Sequence, residues 1–121
     1  MPKIYMHAFA LVAAVLFGTV ANAHPQLQSA DPAAGVATAS PQQIRITFSE
    51  PVVARFSGIE LKDQSGKVIA TGKPETDAAN KKILIVPVTQ QLAPGPYNIE
   101  WHAVSEDTHR VKGSYSFSVT P

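Results

Sequence analysis

The chain contains no cysteine. That excludes disulfides, and with them every thiolate centre: zinc fingers, iron–sulfur clusters and copper ligation through sulfur. Methionine occurs only at Met1 and Met6. Any metal held beyond that point must be bound by nitrogen and oxygen. Charge of one sign is lacking as well, since ten Lys and Arg stand against nine Asp and Glu. Such a balance argues against an electrostatic nucleic-acid binder, which shows a basic stripe. After residue 23 no stretch has a convincing helical period, and the chain has no internal repeat or low-complexity tract.

A single long apolar run is present, over residues 8–20, broken only by Gly18 and Thr19 and preceded by Lys3 and His7. It is too short to span a bilayer comfortably, and no stop-transfer charges follow it. Ala21, Asn22 and Ala23 then form a small-x-small cleavage site. Residues 1–23 are therefore expected to be an export signal, cut between Ala23 and His24. Residues 24–121 are expected to form one domain of 98 residues, with nine basic and nine acidic side chains. That length suffices for one modest core.

Within residues 24–121 the hydrophobic period is two, punctuated by Pro and Gly. Ile44, Ile46 and Phe48 alternate with polar neighbours, as do Ile59 and Leu61. Tyr97, Ile99 and Trp101 oppose Asn98, Glu100 and His102, and Tyr115, Phe117 and Val119 oppose Ser114, Ser116 and Ser118. Residues 82–88, apolar throughout after Lys82, predict a strand buried on both faces. With residues 27–30 and 68–71 this makes about seven short strands. The predicted class is all-β: a single Greek-key sandwich or barrel, with an Ig-like sandwich among the forms it could take. Trp101, Tyr115 and Phe117 are expected in its core. Residues 72–80 are polar and read as a surface loop.

Cleavage before His24 would leave a free α-amine beside an imidazole, so that one residue offers two nitrogens to a metal. Pro25 has no N–H to lose, so a metal held there cannot continue along the backbone from residue 24. The chelate must complete itself from elsewhere. Asp107 and His109 are two apart, and in an extended segment such side chains point the same way. Amine, His24 Nδ1, a His109 nitrogen and an Asp107 oxygen make a three-nitrogen, one-oxygen set suited to tetragonal Cu(II) or Ni(II). Cu(II) leads the affinity order for divalent ions. His102 and Glu100 share a polar strand face, and Glu106 points away from Asp107.

The chain also resembles the CopC family of periplasmic copper-binding proteins. The likeness runs from His24 and Pro25 through Ser29 to Gly35, then Ile46 to Val52 and Phe56 to Gly58. It ends in a W-x-x-V-S-x-D-x-H-x-x-x-G-x-x-x-F pattern carried by Trp101, Val104, Ser105, Asp107, His109, Gly113 and Phe117. The resemblance implies a cupredoxin-like β-barrel and one Cu(II) per chain held by His24, Asp107 and His109. It further implies a periplasmic, monomeric, non-catalytic carrier or buffer serving copper resistance, with an inner-membrane CopD-type transporter as partner. Some members hold Cu(I) in a Met-rich loop. Here residues 63–75 contain neither Met nor His, so that site is expected to be absent. The same N-terminal brace occurs in lytic polysaccharide monooxygenases, making a copper enzyme the alternative reading. A metal-free Ig-like interaction module is the third. The chain is short for such an enzyme, and a carboxylate ligand would crowd the position oxygen needs.

Overall fold

A computed structural model of the chain describes residues 24–121. The expected export signal, residues 1–23, lies outside the described residues. In chain order the strands are β1 (Leu27–Asp31), β2 (Ala37–Thr38), β3 (Gln43–Phe48), β4 (Gly58–Asp63), β5 (Val68–Ile69), β6 (Glu75–Thr76), β7 (Ile83–Pro87), β8 (Gly95–Val104) and β9 (Arg110–Val119). A single 3-10 turn, Ala54–Phe56, interrupts them.

The strands form two sheets, ordered β1-β3-β7-β6 and β2-β9-β8-β4-β5. All neighbours are antiparallel except β2 and β9. With β1-β3-β7-β6 facing β9-β8-β4, this is the strand order of an immunoglobulin-type sandwich. The core lies between the sheets. Ile44, Ile46, Phe48, Leu84 and Val86 come from one side, and Ile59, Leu61, Ile99 and Phe117 from the other. Each is an inward member of a period-two pattern, so a one-residue slip would turn an entire strand's apolar set to water.

Several expectations need correction. Nine strands are described rather than about seven, the two additions being the two-residue strands β2 and β6. One of them, β6, falls inside the stretch 72–80 read as a loop; Glu75 and Thr76 pair with Ile85 and Leu84. Pairing there is set by the neighbouring strand, and no local hydrophobic pattern announces it. Strand β7 is not buried on both faces: Leu84 and Val86 are buried, whereas Ile83 and Ile85 are half-exposed on the outer face. Of the three expected core aromatics Phe117 is buried, and Trp101 and Tyr115 are half-buried against the core.

Two hairpins share one turn design. In β4–β5, Gly66 N donates to Asp63 O at 3.0 Å and Asp63 N to Lys67 O at 2.9 Å, with Gly66 at φ +85°. In β8–β9, Thr108 N donates to Ser105 O at 2.9 Å and Ser105 N to His109 O at 2.9 Å, with Thr108 at φ 71°. Both are three-residue loops closed by a residue in the left-handed region. Gly adopts that conformation freely, but a β-branched residue there is an outlier.

The first hairpin carries a pH signature. Asp63 Oδ1 accepts from Ser65 N, Ser65 Oγ and Lys67 N at 2.6–3.0 Å. The Ser65 hydroxyl foremost, aided by the backbone donors, holds this carboxyl below its ordinary value of 3.8. A depressed folded pKa means stabilisation present above the unfolded value and lost as pH falls through the folded one. Asp63→Asn should therefore melt at a lower temperature than the parent at neutral pH, with the gap closing as pH drops below 3.8. Parallel melts across that range check it, and a gap independent of pH would contradict it.

Candidate metal centre

His24 is exposed, yet the residues that follow it are pinned to the sandwich. Pro25 behind it is fully buried, and Gln26 is tied to the end of β3 in both directions. Gln26 N donates to Ser49 Oγ and Ser49 N to Gln26 O, each at 2.8 Å. This anchor fixes the direction in which the chain leaves the sandwich. It sets the His24 ring edge-on to that of His109, with centroids 4.7 Å apart and planes at 80°.

Asp107 and His109 both lie in the β8–β9 hairpin. Asp107 Oδ2 lies 3.0 Å from His109 Nδ1. The buried Ser105 donates its hydroxyl to Asp107 Oδ1 in a very short hydrogen bond. That bond first, and then His109, hold the Asp107 carboxyl below its ordinary range. It is therefore an anion and an acceptor at neutral pH. His109 Nδ1 is itself buried and, among the described residues, makes no aligned hydrogen bond. An imidazole nitrogen facing a carboxylate without such a bond is the kind of atom a metal completes.

The donor set passes a simple test of size. Adjacent ligands of a tetragonal ion, with bonds of about 2.0 Å at right angles, stand about 2.8 Å apart. The Oδ2–Nδ1 separation of 3.0 Å is close to that. Among the described residues no three His, Cys, Asp or Glu side chains form a ready-made cluster. An N-terminal His changes that requirement, since it would supply two donors and leave two for Asp107 and His109.

The physical reason these residues meet differs from the one expected. Asp107 and His109 do not alternate in an extended segment; they belong to a turn, with Thr108 in the left-handed region between them. Strand β1 lies in the other sheet, paired with β3. His24 reaches the hairpin across the end of the sandwich through the Pro25 and Gln26 anchor. His102 sits elsewhere, on the outer face of the second sheet. Its ring covers Gly58, where an added Cβ would come within 2.6 Å of Cε1. Glu106 is exposed.

Three supporting residues escaped the sequence reading. Ser49 anchors the N-terminus, Ser105 orients Asp107, and Thr108 sets the hairpin. Ser105 could have been found from its place two residues before Asp107, since a hydroxyl at that spacing can reach a carboxylate in a turn. Thr108 stores strain beside the site, where strained residues concentrate. Thr108→Gly should raise unfolding stability by about 1 kcal/mol, relief of strain outweighing glycine's entropic cost. Urea denaturation measures it, and a loss of stability would show that the Thr side chain makes up for its conformation.

An immunoglobulin-type sandwich bearing two imidazoles and a carboxylate at one end defines a class of small metal-binding β-domain. The chain belongs to the CopC family: the CopC domain model matches residues 27–120. It is 39% identical over 114 residues to protein YobA of Escherichia coli K12, covering 93% of this chain and 92% of that one. It is 38% identical over 116 residues to copper resistance protein C of Escherichia coli, covering 90% of each. The crystal structure of PcoC, a methionine-rich copper resistance protein from Escherichia coli, superposes with a TM-score of 0.73 at 36% identity, over 81% of this chain and all of that one. CopC from Methylosinus trichosporium gives 0.76 at 30% identity, over 81% and 95%. Membership makes this a protein of a copper-binding, copper-resistance family with a β-sandwich fold.

Proposed function

We propose that the chain, once processed at His24, binds one Cu(II) through the His24 amine and Nδ1, Asp107 and a His109 nitrogen. The edge-on approach of His24 to His109 carries this reading, supported by the unbonded Nδ1 of His109 beside Asp107. Asp107 adds the negative charge that a doubly charged cation requires. In this reading the protein carries or buffers copper in the periplasm as a monomer and catalyses nothing.

A membrane copper importer of the CopD type is the proposed partner. The support comes from copper transport protein CutJ of Bacillus subtilis, in which 15% of a longer chain matches 66% of this one at 36% identity. A domain of this kind thus occurs joined to a larger transport protein. Among the described residues no helix is long and apolar enough to cross a membrane.

Titration of Cu(II) into the processed protein tests the site. The expected result is a single tetragonal paramagnetic resonance signal with three nitrogens, saturating at one ion per chain. The melting temperature should rise with copper, because a ligand bound only by the folded state stabilises it. Weak, heterogeneous signals with an unmoved melting temperature would overturn the proposal. Reductant-dependent oxygen consumption by the copper-loaded protein, above the rate of free copper, would favour an enzyme instead.

A further inference from the structure

Strand β9 has two edges, and only one is used along its first half. Its inner edge pairs with β8 without a break from Arg110 to Val119. Its other edge meets β2 only at Ser118 and Val119. The backbone bonds show which residues serve that second edge: Gly35 N donates to Ser116 O, Ser118 N to Val36 O, and Thr120 N to Thr38 O. Even-numbered residues therefore direct their backbone groups outward. By the period of two, so do Arg110, Lys112 and Ser114. Among the described residues no strand meets those groups.

Beside this edge, between β9 and β1, runs a groove of about 590 Å³ lined by Leu27, Ala30, Ala33, Trp101, Gly113 and Tyr115. It is largely apolar. Tyr115 Oη is buried and, among the described residues, has no hydrogen-bond partner. Burial raises its pKa well above the ordinary value, so it stays a donor. Gly113 is what opens the groove to Trp101, since a Cβ there would come within 2.5 Å of the indole.

We infer that the free edge from Arg110 to Ser114 is a docking rail for an extended, acidic segment of a partner protein, added to the sheet as a further strand. Main-chain bonds to Arg110, Lys112 and Ser114 would supply affinity, and the groove would take alternate apolar side chains. Charge selects the occupant. Arg110 and Lys112 are exposed, and among the described residues neither lies within ion-pair distance of a carboxylate. A second copy paired edge to edge would gather four such cations, whereas an acidic strand would neutralise two. The rail begins one residue after His109, so a docked segment ends beside the candidate metal residues. The inference does not require that those residues bind copper.

The test uses the processed protein without metal and two capped ten-residue probes, one alternating Glu with Val and one alternating Lys with Val. With the acidic probe, amide exchange at Arg110, Lys112 and Ser114 should slow by about tenfold or more. Emission from Trp101, the sole tryptophan, should shift with it. The basic probe should do neither. Ser114→Pro removes an outward N–H at an edge position that tolerates proline, and Lys112→Glu reverses a charge without touching the backbone. Each should weaken the acidic probe's effect while the melting temperature holds, and Lys112→Glu keeps the test valid should the proline variant misfold. Equal protection by both probes would overturn the acidic partner. Protection that grows with protein concentration alone would replace it with a second copy. No protection at millimolar probe would mean that Arg110 and Lys112 merely guard the edge against pairing.

Discussion

Retention of a single N-acetylated residue ahead of His24, such as an acetylated Met, is expected to weaken Cu(II) binding by about 10²–10⁴-fold, the range in which a tethered second contact normally contributes. The amine becomes an amide, and the two-nitrogen grip of His24 is reduced to a lone imidazole. Pro25 bars a backbone chelate on the other side of His24, because it has no N–H for copper to displace. The anchor of Gln26 on Ser49 would still hold the His24 ring near that of His109. The extended protein should therefore keep its fold and its apo melting temperature while losing affinity. Competition against a chelator, run on authentic and extended chains side by side, measures the difference. Equal affinities would remove the amine from the site, leaving the two imidazoles and Asp107.

Phe48→Ala is expected to cost about 3–5 kcal/mol, as for other buried aromatic truncations. Phe48 has no exposed surface and lies in the main core, its ring 5.2 Å from Trp101 in an edge-on pair. The domain's whole stability is of order 5–15 kcal/mol, so the variant should be close to unfolding at ordinary temperature. The effect should reach the metal centre too. Ser49, the next residue, holds Gln26 and thereby aims His24. A folded remnant of Phe48→Ala should bind Cu(II) more weakly than the parent. Denaturation by urea gives the first quantity and copper titration in stabilising osmolyte the second. A cost below about 1 kcal/mol would mean that the sandwich collapses around the vacancy.

Much of the sandwich could be read directly from alternation. Ile44, Ile46 and Phe48, or Tyr97 and Ile99, face inward as their spacing dictates, since a strand gives successive side chains to opposite faces. Two of the two-residue strands, β2 and β6, could not be read this way. Ala37, Thr38, Glu75 and Thr76 carry no hydrophobic pattern; they are strands because β9 and β7 offer them unpaired backbone groups. Ile83 and Ile85 misled for a related reason. They are β-branched and apolar, yet they sit on a half-exposed outer face, and apolar character alone does not specify burial.

For the candidate site, the residue types were in the sequence and the geometry was not. The absence of Cys, and of Met after residue 6, restricts the later chain to nitrogen and oxygen donors. His24 behind a cleavage pattern, followed by a proline, is the basis for expecting a chelating end there. Those facts depend only on covalent chemistry and order along the chain. Nearness depends on packing. His24 and His109 stand 85 residues apart in sequence, and they meet because Pro25 is buried, Ser49 ties down Gln26, and the β8–β9 hairpin turns at the same end of the sandwich. The free edge of β9 likewise has no local signature, since an edge is defined by the strand that is not beside it.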